Sequence, residues 1–316
     1  MQLESDRAAL EARLAQAVAA LTGGDDAARF GIAVSGGPDS MALLFLASQL
    51  YPGRVEAVTV DHRLRPEAAE EAAMVARWCA GAGVPHAILT PDAPVSGNMQ
   101  NWARTMRYRL IEEWRQARGI DWIMTAHHAD DQLETMIMRL NRGSGVSGLA
   151  GVRARAGRVI RPLLGARKAA LVALAQVEGV PFVQDPSNLD RRFDRTALRA
   201  TLAGADWIDA EAAGRSASAL AEAEAALAWS IEALAAAHVR QEGAGWRLAR
   251  TDLPREYLRR LLLHMLAAAD PDSPAPRGEA IDRAIAQALA GRKSSLGDWL
   301  LTGGHSWILT PAPARR

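Results

Sequence analysis

Cysteine is almost absent from this sequence, in which Cys79 is the only one among 316 residues. A single cysteine excludes an internal disulfide framework and any metal or redox site that needs two thiolates from one chain. Cys79 itself lies in an apolar helical stretch, so we expect a small buried residue and not a nucleophile.

Long apolar runs are also missing, since none approaches the roughly 20 residues that a membrane-spanning helix needs. The first residues include Glu4, Asp6 and Arg7 and lack the basic-then-apolar order of a secretory signal. We therefore expect a cytoplasmic protein without a membrane partner. A chain of this length, 49% hydrophobic, is long enough for a sizeable core and two domains.

Net charge is nearly absent as well, at +1, so the sequence predicts no general attraction to nucleic acid. The basic residues are nevertheless unevenly spread. One run without any acidic residue contains Arg153, Arg155, Arg158, Arg161, Arg167 and Lys168, and a second group contains Arg191, Arg192, Arg195 and Arg199. Such patches suit a docked anionic partner, and two solvated arginine-rich faces are the alternative.

The most informative stretch is a short strand followed by a glycine turn and a helix. Ile32 to Val34 form an apolar run fit for a buried parallel strand, and a helical apolar pattern begins at Met41. Glycines let the backbone approach a bulky anion, and a helix N-terminus offers unpaired N–H groups. We predict a phosphate-binding loop with Asp39 as a Mg²⁺ ligand, and an ordinary turn is the alternative. The loop comprises Ser35, Gly36, Gly37, Pro38, Asp39 and Ser40.

Strand and helix patterns alternate through the first two thirds of the chain, which predicts an α/β fold with a doubly wound parallel sheet. Ligands of such sheets bind at the carboxyl ends of the strands, where three polar clusters fall. These are residues 35–40, Asp61 with His62, and residues 127–131. A nucleotide would place its phosphates on the first cluster and its base near Asp61 and His62. Polar loops without a ligand explain Asp61 and His62 equally well.

The third cluster is dense in histidine and carboxylate. His127 is expected near the nucleotide, and Asp130 and Glu134 are four residues apart, which predicts one helix face. We interpret Asp130, Asp131 and Glu134 as carboxylates that bind Mg²⁺ or a cationic substrate. Helix capping by Asp130 or Asp131 is the alternative. A zinc site is not favoured, because no further cluster completes a tetrahedron.

Several short motifs follow one another along the chain. They are SGGPDS at 35–40, VDHRLR at 60–65, Ala103-Arg104 with Arg107-Tyr108, HHADDQLET at 127–135, RGSG at 142–145 with GLAG at 148–151, RPLL at 161–164, and DPSN at 185–188 with Phe193-Asp194-Arg195. Together these motifs resemble one family of the N-type ATP pyrophosphatases, the bacterial tRNA(Ile)-lysidine synthases. The resemblance covers about residues 29 to 200. Thr196 and Val152 depart from the family pattern, which leaves the contacts near residues 195–199 open.

This resemblance implies a reaction and its site residues. ATP with Mg²⁺ would adenylate the C2 oxygen of the first-anticodon-position cytidine of tRNA(Ile) bearing CAU, and free L-lysine would then attack C2 and displace AMP. Asp39 and Asp130 are expected to hold the metal, and Asp131 and Glu134 the lysine cation, so that Asp39, Asp131 and Glu134 are the catalytic set. Anionic groups of lysine, ATP or tRNA are expected on Arg104, Arg107, Arg195 and Arg199.

The C-terminal third changes to alanine-rich helical patterns. We expect an ATP-pyrophosphatase catalytic domain at residues 1–203 and a mainly helical tRNA-binding domain at 204–316, ending in a β-hairpin of residues 299–301 and 307–309. The resemblance implies a short form that lacks the second C-terminal domain of longer members. A stabilising or dimerising domain without RNA contact is the alternative, and a homodimer is compatible with the sequence.

Two other functions stay open at this point. One is a tRNA thiolase on the same scaffold, against which the lone Cys79 speaks, because thiolases commonly use cysteine pairs or an iron–sulfur cluster. The other is a non-catalytic nucleotide- or RNA-binding protein, against which the intact loop and carboxylates speak. A glutamine-fed amidotransferase is not favoured, since no glutaminase nucleophile is available.

Overall fold

The computed structural model describes residues 2–64, 67–92, 95, 97–183, 194–202, 204–205, 207–274 and 276–313, with the backbone alone for 2–5, 100 and 194. The motif residues Arg65, 185–188 and Phe193, and the arginines at 191 and 192, lie outside this part of the chain. Two compact units form, Met1–Ala221 and Glu222–Arg316.

A six-stranded sheet organises the first unit. Its strand order is β3-β2-β1-β4-β6-β5, and the strands pair in parallel except for β5, which is antiparallel to β6. The strands are β1 (Phe30–Ala33), β2 (Val55–Val60), β3 (His86–Leu89), β4 (Trp122–Met124), β5 (Arg155–Ala156) and β6 (Val159–Ile160). The predicted doubly wound, mostly parallel sheet is confirmed.

Alternate residues of the central strands supply two separate cores. Ile32, Ala57 and Met124 belong to the larger cluster, whereas Val58 and Ile123 belong to a second cluster with Ile111 and Trp114 of a helix. Successive side chains of a strand point to opposite faces, so each face of the sheet carries its own apolar layer. Cys79 is fully buried in the larger cluster, as expected.

Helices connect the strands and cover both faces. Helix α5 begins at Ala129, and helix α2 begins at Pro38, directly after the glycines. The helices of this unit are α1 (Gln2–Thr22), α2 (Pro38–Leu50), α3 (Glu67–Ala82), α4 (Met99–Ala117), α5 (Ala129–Leu140), α6 (Val146–Leu149), α7 (Lys168–Val177) and α8 (Asp194–Leu202). No helix among the described residues is long and apolar enough to cross a membrane.

The second unit combines helices with a five-stranded antiparallel sheet of order β7-β8-β11-β10-β9. The predicted hairpin is present as β10 and β11. Three further strands were not predicted, because charged residues and serines interrupt their apolar alternation. The elements are α9 (Ala210–His238), β7 (Val239–Glu242), β8 (Gly245–Leu248), α10 (Arg255–Ala269), α11 (Gly278–Leu289), β9 (Lys293–Leu296), β10 (Trp299–Thr302) and β11 (Trp307–Pro311).

The boundary between the units lies inside helix α9, later than the predicted boundary at 203/204. The reason is packing at the start of that helix. Ala210 is buried in a cluster with Ala129 and Leu133 of α5, and Ala217 is fully buried. The first turns of α9 therefore belong to the first unit, although their sequence has the alanine-rich texture of the C-terminal third.

Candidate active site

Strand order places a crevice beside the glycine loop. The chain runs outward from β1 to β2 and β3, whereas β4 pairs with the other side of β1. Such a reversal of strand order opens a ligand crevice at the carboxyl ends of the strands. A cleft of about 760 Å³ lies there. Its lining includes Ser35, Gly37, Pro38, Asp39, Ser40, His62, Arg104, Arg107, His127, His128, Asp131, Lys168, Arg195 and Arg199.

Most predicted site residues thus meet in one cleft, but four do not line it. Gly36, Asp61, Asp130 and Glu134 are absent from the lining. Gly36 and Asp61 shape the loops: Gly36 has φ +84°, which favours glycine, and the Asp61 carboxylate accepts a 2.8 Å hydrogen bond from the Arg63 N–H. Asp130 and Glu134 make ion pairs behind the cleft wall.

Hydrogen bonds of a serine hydroxyl fix the conformation of the loop after β1. Ser40 Oγ donates to the Gly37 carbonyl at 2.9 Å and accepts from the Ser35 N–H at 3.2 Å. Gly37 is the N-cap of α2 and Pro38 its first residue, where the missing N–H costs little. The free N–H groups and positive dipole end of α2 therefore face the cleft, as an anion site requires.

Asp39 has one carboxylate oxygen without a partner. Its Oδ1 is buried and makes no hydrogen bond, whereas Oδ2 lies 3.6 Å from His128 Nε2 and 3.9 Å from Lys168 Nζ. Mg²⁺ commonly takes one or two carboxylates together with phosphate oxygens and water. The described residues contain no group of three or more His, Cys, Asp or Glu side chains that suits a metal. Asp39 alone therefore fits a Mg²⁺ ion that is shared with phosphates.

His128 is a buried positive charge at the centre of the site. Its ring nitrogens lie 3.5–3.6 Å from carboxylate oxygens of Asp39, Asp130 and Asp131. Burial alone would lower the pKa of His128, but the neighbouring Asp130, Asp39 and Asp131 carboxylates raise it to about 9. Nδ1 also lies 3.3 Å from the Asp131 N–H. A protonated Nδ1 cannot accept that bond, and the surrounding carboxylates favour the protonated ring.

Both carboxylate oxygens of Asp130 have protein partners, so neither is free for a metal. Its Oδ2 accepts from the backbone N–H of Lys168 at 2.8 Å, which caps α7, and its Oδ1 lies 3.3 Å from Arg167. Burial by itself raises the pKa of Asp130, but His128, the Lys168 N–H and Arg167 lower that pKa well below its usual range. Asp130 thus caps α7 and not its own helix, and both of its oxygens already have partners.

Asp131 and Glu134 are fully engaged with two arginines of α8. Arg195 bonds Glu134 at 2.6 Å and Asp131 at 2.8 Å. Arg199 bonds Glu134 at 2.5 Å and Asp131 at 3.4 Å. Asp131 Oδ2 accepts from the His128 N–H at 3.2 Å, which forms part of the N-cap of α5. The carboxylates expected to hold lysine and the arginines expected to hold phosphates are thus paired with each other.

The opposite wall of the cleft carries cations that have no carboxylate partner among the described residues. Arg104 and Arg107 share a face of α4, and the Arg104 guanidinium lies 5.1 Å from the Tyr108 ring centre. The Arg107 side chain reaches solvent, but protein atoms pack around much of it. This partial burial lowers the pKa of Arg107. The guanidinium still remains charged at neutral pH. These arginines are available to an anionic ligand.

The two predicted histidines are uncharged at neutral pH. Burial and Arg107 lower the pKa of His62, and both of its ring nitrogens are buried without a hydrogen-bond partner. Its ring centre lies 6.1 Å from that of Trp102. Burial, Arg161 and nearby arginines lower the pKa of His127 to about 4, against the effect of Asp131. Thr125 Oγ1 lies 2.9 Å from His127 Nδ1 and orients that ring.

Sequence reasoning missed two functional candidates, His128 and Lys168. His128 stands in the same motif as His127, but only the fold shows that it lies among three carboxylates. Lys168 appeared as one member of a basic run, and nothing in that run distinguishes the residue whose ammonium lies beside Asp39. The position of Lys168 at the start of a helix after RPLL was the one available signal.

Comparison with known proteins agrees with this geometry. Residues 8–205 match the model of the PP-loop domain family. A tRNA(Ile)-lysidine synthase of Zymomonas mobilis is 43% identical over 91% of this chain and 90% of its own length. The enzyme of the same name from Novosphingobium aromaticivorans is 39% identical over 92% and 91%, respectively. The chain belongs to the tRNA(Ile)-lysidine synthase family. Its resemblance to that family and its PP-loop are thereby confirmed.

Among solved structures, the U34-tRNA thiolase NcsA of Methanococcus maripaludis, determined with its [4Fe-4S] cluster, has a TM-score of 0.54 to this chain. The likeness covers 66% of this chain and 78% of the thiolase at 16% identity, so it extends to the fold alone. This member of the lysidine synthase family has only Cys79, and burial raises the pKa of that thiol to about 11. It offers no cysteine set for a comparable cluster.

Proposed function

We propose that this protein ligates free L-lysine to C2 of the first-anticodon-position cytidine of tRNA(Ile) with a CAU anticodon. The reaction consumes ATP, passes through an adenylated cytidine and releases AMP and pyrophosphate, which makes the enzyme a ligase that forms a C–N bond. One observation carries the proposal beyond the family names: a phosphate loop, an unpaired Asp39 oxygen, the arginines of α4 and Asp131 line a single cleft, and Glu134 lies behind its wall.

Adenylation uses the loop side of the cleft. The N–H groups at the start of α2 bind phosphate oxygens, and Arg104 and Arg107 attract further anionic groups of ATP or tRNA. Asp39 Oδ1 would hold Mg²⁺, which neutralises charge on the phosphates when it is bound. His128 Nε2 lies 3.6 Å from Oδ2 and so orients this carboxylate.

Ligation uses Asp131 and Glu134. An incoming lysine ammonium is attracted to these carboxylates, and its α-carboxylate suits an arginine. Because Arg195 and Arg199 already bond both carboxylates, lysine must either displace a guanidinium or share the acidic pair with it. After the ε-amine attacks C2 of the activated cytosine, the C–O bond to AMP breaks and the amine proton passes to solvent.

Nucleoside analysis tests the proposal directly. The protein is incubated with ATP, Mg²⁺ and tRNA(Ile) bearing CAU, with and without free lysine. We expect pyrophosphate, AMP and one lysidine per tRNA, with lysidine only when lysine is present. Methionine tRNAs bearing CAU serve as controls and should remain unmodified. Pyrophosphate release without lysidine would overturn the lysine assignment, and no ATP consumption would overturn catalysis.

The remaining expectations follow from the same proposal. A cytoplasmic location supplies tRNA, lysine and ATP together, and the C-terminal unit would contribute to tRNA binding. The homodimer stays a prediction. A tRNA thiolase would instead incorporate sulfur, and a non-catalytic binding protein would retain tRNA without consuming ATP, so the same assay separates these alternatives.

A further inference from the structure

Lysine is rare in this protein, which makes its position in the cleft distinctive. Only Lys168 and Lys293 occur among 316 residues, whereas the basic residues are otherwise arginine. Lys293 lies in β9 of the C-terminal unit. Lys168 lines the cleft together with the loop residues. Nothing in the reaction proposed so far uses its ammonium group.

The fold fixes the backbone of Lys168 but leaves its side chain accessible. Lys168 is the first residue of α7, and its N–H donates to Asp130 at 2.8 Å. This capping bond comes from the main chain and does not depend on the side chain. The ammonium lies 3.9 Å from Asp39 Oδ2, and the side chain is 41% exposed. Lys168 therefore adds a positive charge at the loop and retains contact with solvent.

Its position separates Lys168 from the two arginines of α4 that line the cleft. Arg104 and Arg107 lie on α4, where Arg107 is close enough to His62 after β2 to lower the pKa of that histidine. Lys168 lies instead beside Asp39, which belongs to the loop that follows β1. The cleft thus has an arginine side and a lysine side, and the helix N-terminus that attracts phosphate is on the lysine side.

A lysine suits a phosphate group that changes position during a reaction. Its ammonium is a compact charge with three donors on a flexible stem, whereas a guanidinium prefers one planar, two-point geometry. Charge accumulates on pyrophosphate as it departs, and donors placed there lower the barrier.

We propose that Lys168 binds the β- and γ-phosphates of ATP and stabilises pyrophosphate as it leaves. In this step the cytosine oxygen forms a bond to the α-phosphorus while the bond from that phosphorus to the bridging oxygen breaks. The electron pair stays on pyrophosphate, where the ammonium is its counter-charge. This inference rests on the proposed use of ATP in this cleft and does not depend on which nucleophile follows.

Amine acetylation tests the contact without measuring activity. The full-length protein is treated with the N-hydroxysuccinimide ester of acetic acid, and the rates at Lys168 and Lys293 are read by peptide mass spectrometry. We expect Mg²⁺-ATP at roughly ten times its Kd to slow acetylation of Lys168 about tenfold. Mg²⁺-pyrophosphate should also protect Lys168, and AMP should not. Lys293 is the internal reference and should react at a constant rate.

Substitution tests the consequence for the reaction. Lys168→Gln should lower kcat for pyrophosphate release about a hundredfold and leave the KM for lysine unchanged. Lys168→Arg should restore part of the rate because it keeps the charge, and Lys293→Gln is the matched control. Since the capping bond is made by the main chain, the melting temperature of Lys168→Gln should stay near that of the unmodified chain.

Three results would overturn the inference. One is an unchanged acetylation rate while dialysis shows that ATP is bound, the second is equal protection by AMP, and the third is full activity of Lys168→Gln. A purely structural role, in which Lys168 only neutralises Asp39, predicts no protection by pyrophosphate. If ATP protects Lys168 but no lysidine forms with any tRNA, the proposed function fails and the inference about Lys168 stands.

Discussion

The two acidic regions of the cleft differ in how far their charges are already paired. At the loop, Asp39 Oδ1 is buried without a hydrogen-bond partner. At α5, all four carboxylate oxygens of Asp131 and Glu134 accept hydrogen bonds, three of them from Arg195 and Arg199. The first region can accept a ligand as it stands, whereas the second must exchange one partner for another.

This difference has consequences for affinity and selectivity. An unpaired buried oxygen costs free energy that a ligand recovers on binding. A ligand at the paired carboxylates must first break charge-assisted bonds, so the net gain is the difference between two similar interactions. We therefore expect substitutions at the loop to remove binding and chemistry, and substitutions at α5 and α8 to alter the choice of ligand.

The largest effect is expected from Asp39→Asn. The amide keeps the shape but loses the charge that would hold Mg²⁺, so pyrophosphate release should fall at least about a hundredfold. The fold should be retained, because Asp130 and Asp131 still lie 3.5–3.6 Å from His128. Pyrophosphate release and thermal melting are the measurements, with the exposed Asp272→Asn as control. Normal turnover would show that the loop region is not the phosphate site.

Glu134→Gln should impair the lysine step more than pyrophosphate release. The buried carboxylate is the shared partner of two guanidinium groups, and its loss leaves both without part of their counter-charge. Because those arginines are partly exposed, we expect about 1–2 kcal/mol of lost stability. Single-turnover assays that measure pyrophosphate and lysidine separately check the prediction. Equal losses in both steps would contradict the assignment of Glu134 to lysine.

Arg195→Gln tests the same acidic pair, because the direction in which the KM for lysine changes shows what this arginine does. If the arginine competes with the lysine ammonium for Asp131 and Glu134, the substitution should lower the KM for lysine severalfold. If it binds the lysine carboxylate, the KM should rise instead. We expect the decrease, since both carboxylates already accept its hydrogen bonds at 2.6–2.8 Å. Steady-state titration with lysine at saturating ATP and tRNA measures the effect.

His128 connects the two regions and should make stability depend on pH. Its folded pKa of about 9 exceeds its ordinary value, so its contribution is complete below about pH 6.5 and is lost as pH rises toward 9. We expect up to about 3 kcal/mol of unfolding free energy to disappear over that range. His128→Asn supplies an uncharged side chain that favours the N-cap position, and it should flatten the alkaline decline in urea unfolding. Parallel curves for both proteins would contradict a charged His128.

The smallest effect is expected at the rim of the cleft. Arg63 is the non-glycine residue with a positive φ, 54°, among the described residues. Arg63→Gly should raise the unfolding free energy by about 1 kcal/mol, because glycine adopts this conformation without strain. Arg63→Ala keeps the strain and is the matched control. A melting temperature that rises equally in both variants would show that strain is not the cause.

Local patterns predicted much of this molecule because they depend on neighbours in sequence. The alternation of strands and helices and the hairpin of residues 299–301 and 307–309 agree with the structure. The glycine loop was placed correctly because its strand, turn and helix signals are contiguous. The edge strands β7 and β9 were missed, since a polar, half-exposed strand has no periodicity strong enough to distinguish it from a loop.

Sequence alone determined which residues come to the carboxyl ends of the strands, because strand and helix alternation restricts the topology to a parallel sheet. Four-residue spacing also predicted that Asp130 and Glu134 lie in one helix, which is α5. Tertiary structure decided what each carboxylate bonds. Asp130 caps α7, Asp131 and Glu134 pair with α8, and Asp39 retains an unpaired oxygen beside Lys168, because these partners come from segments tens of residues away whose approach only packing of the sheet and its helices can set.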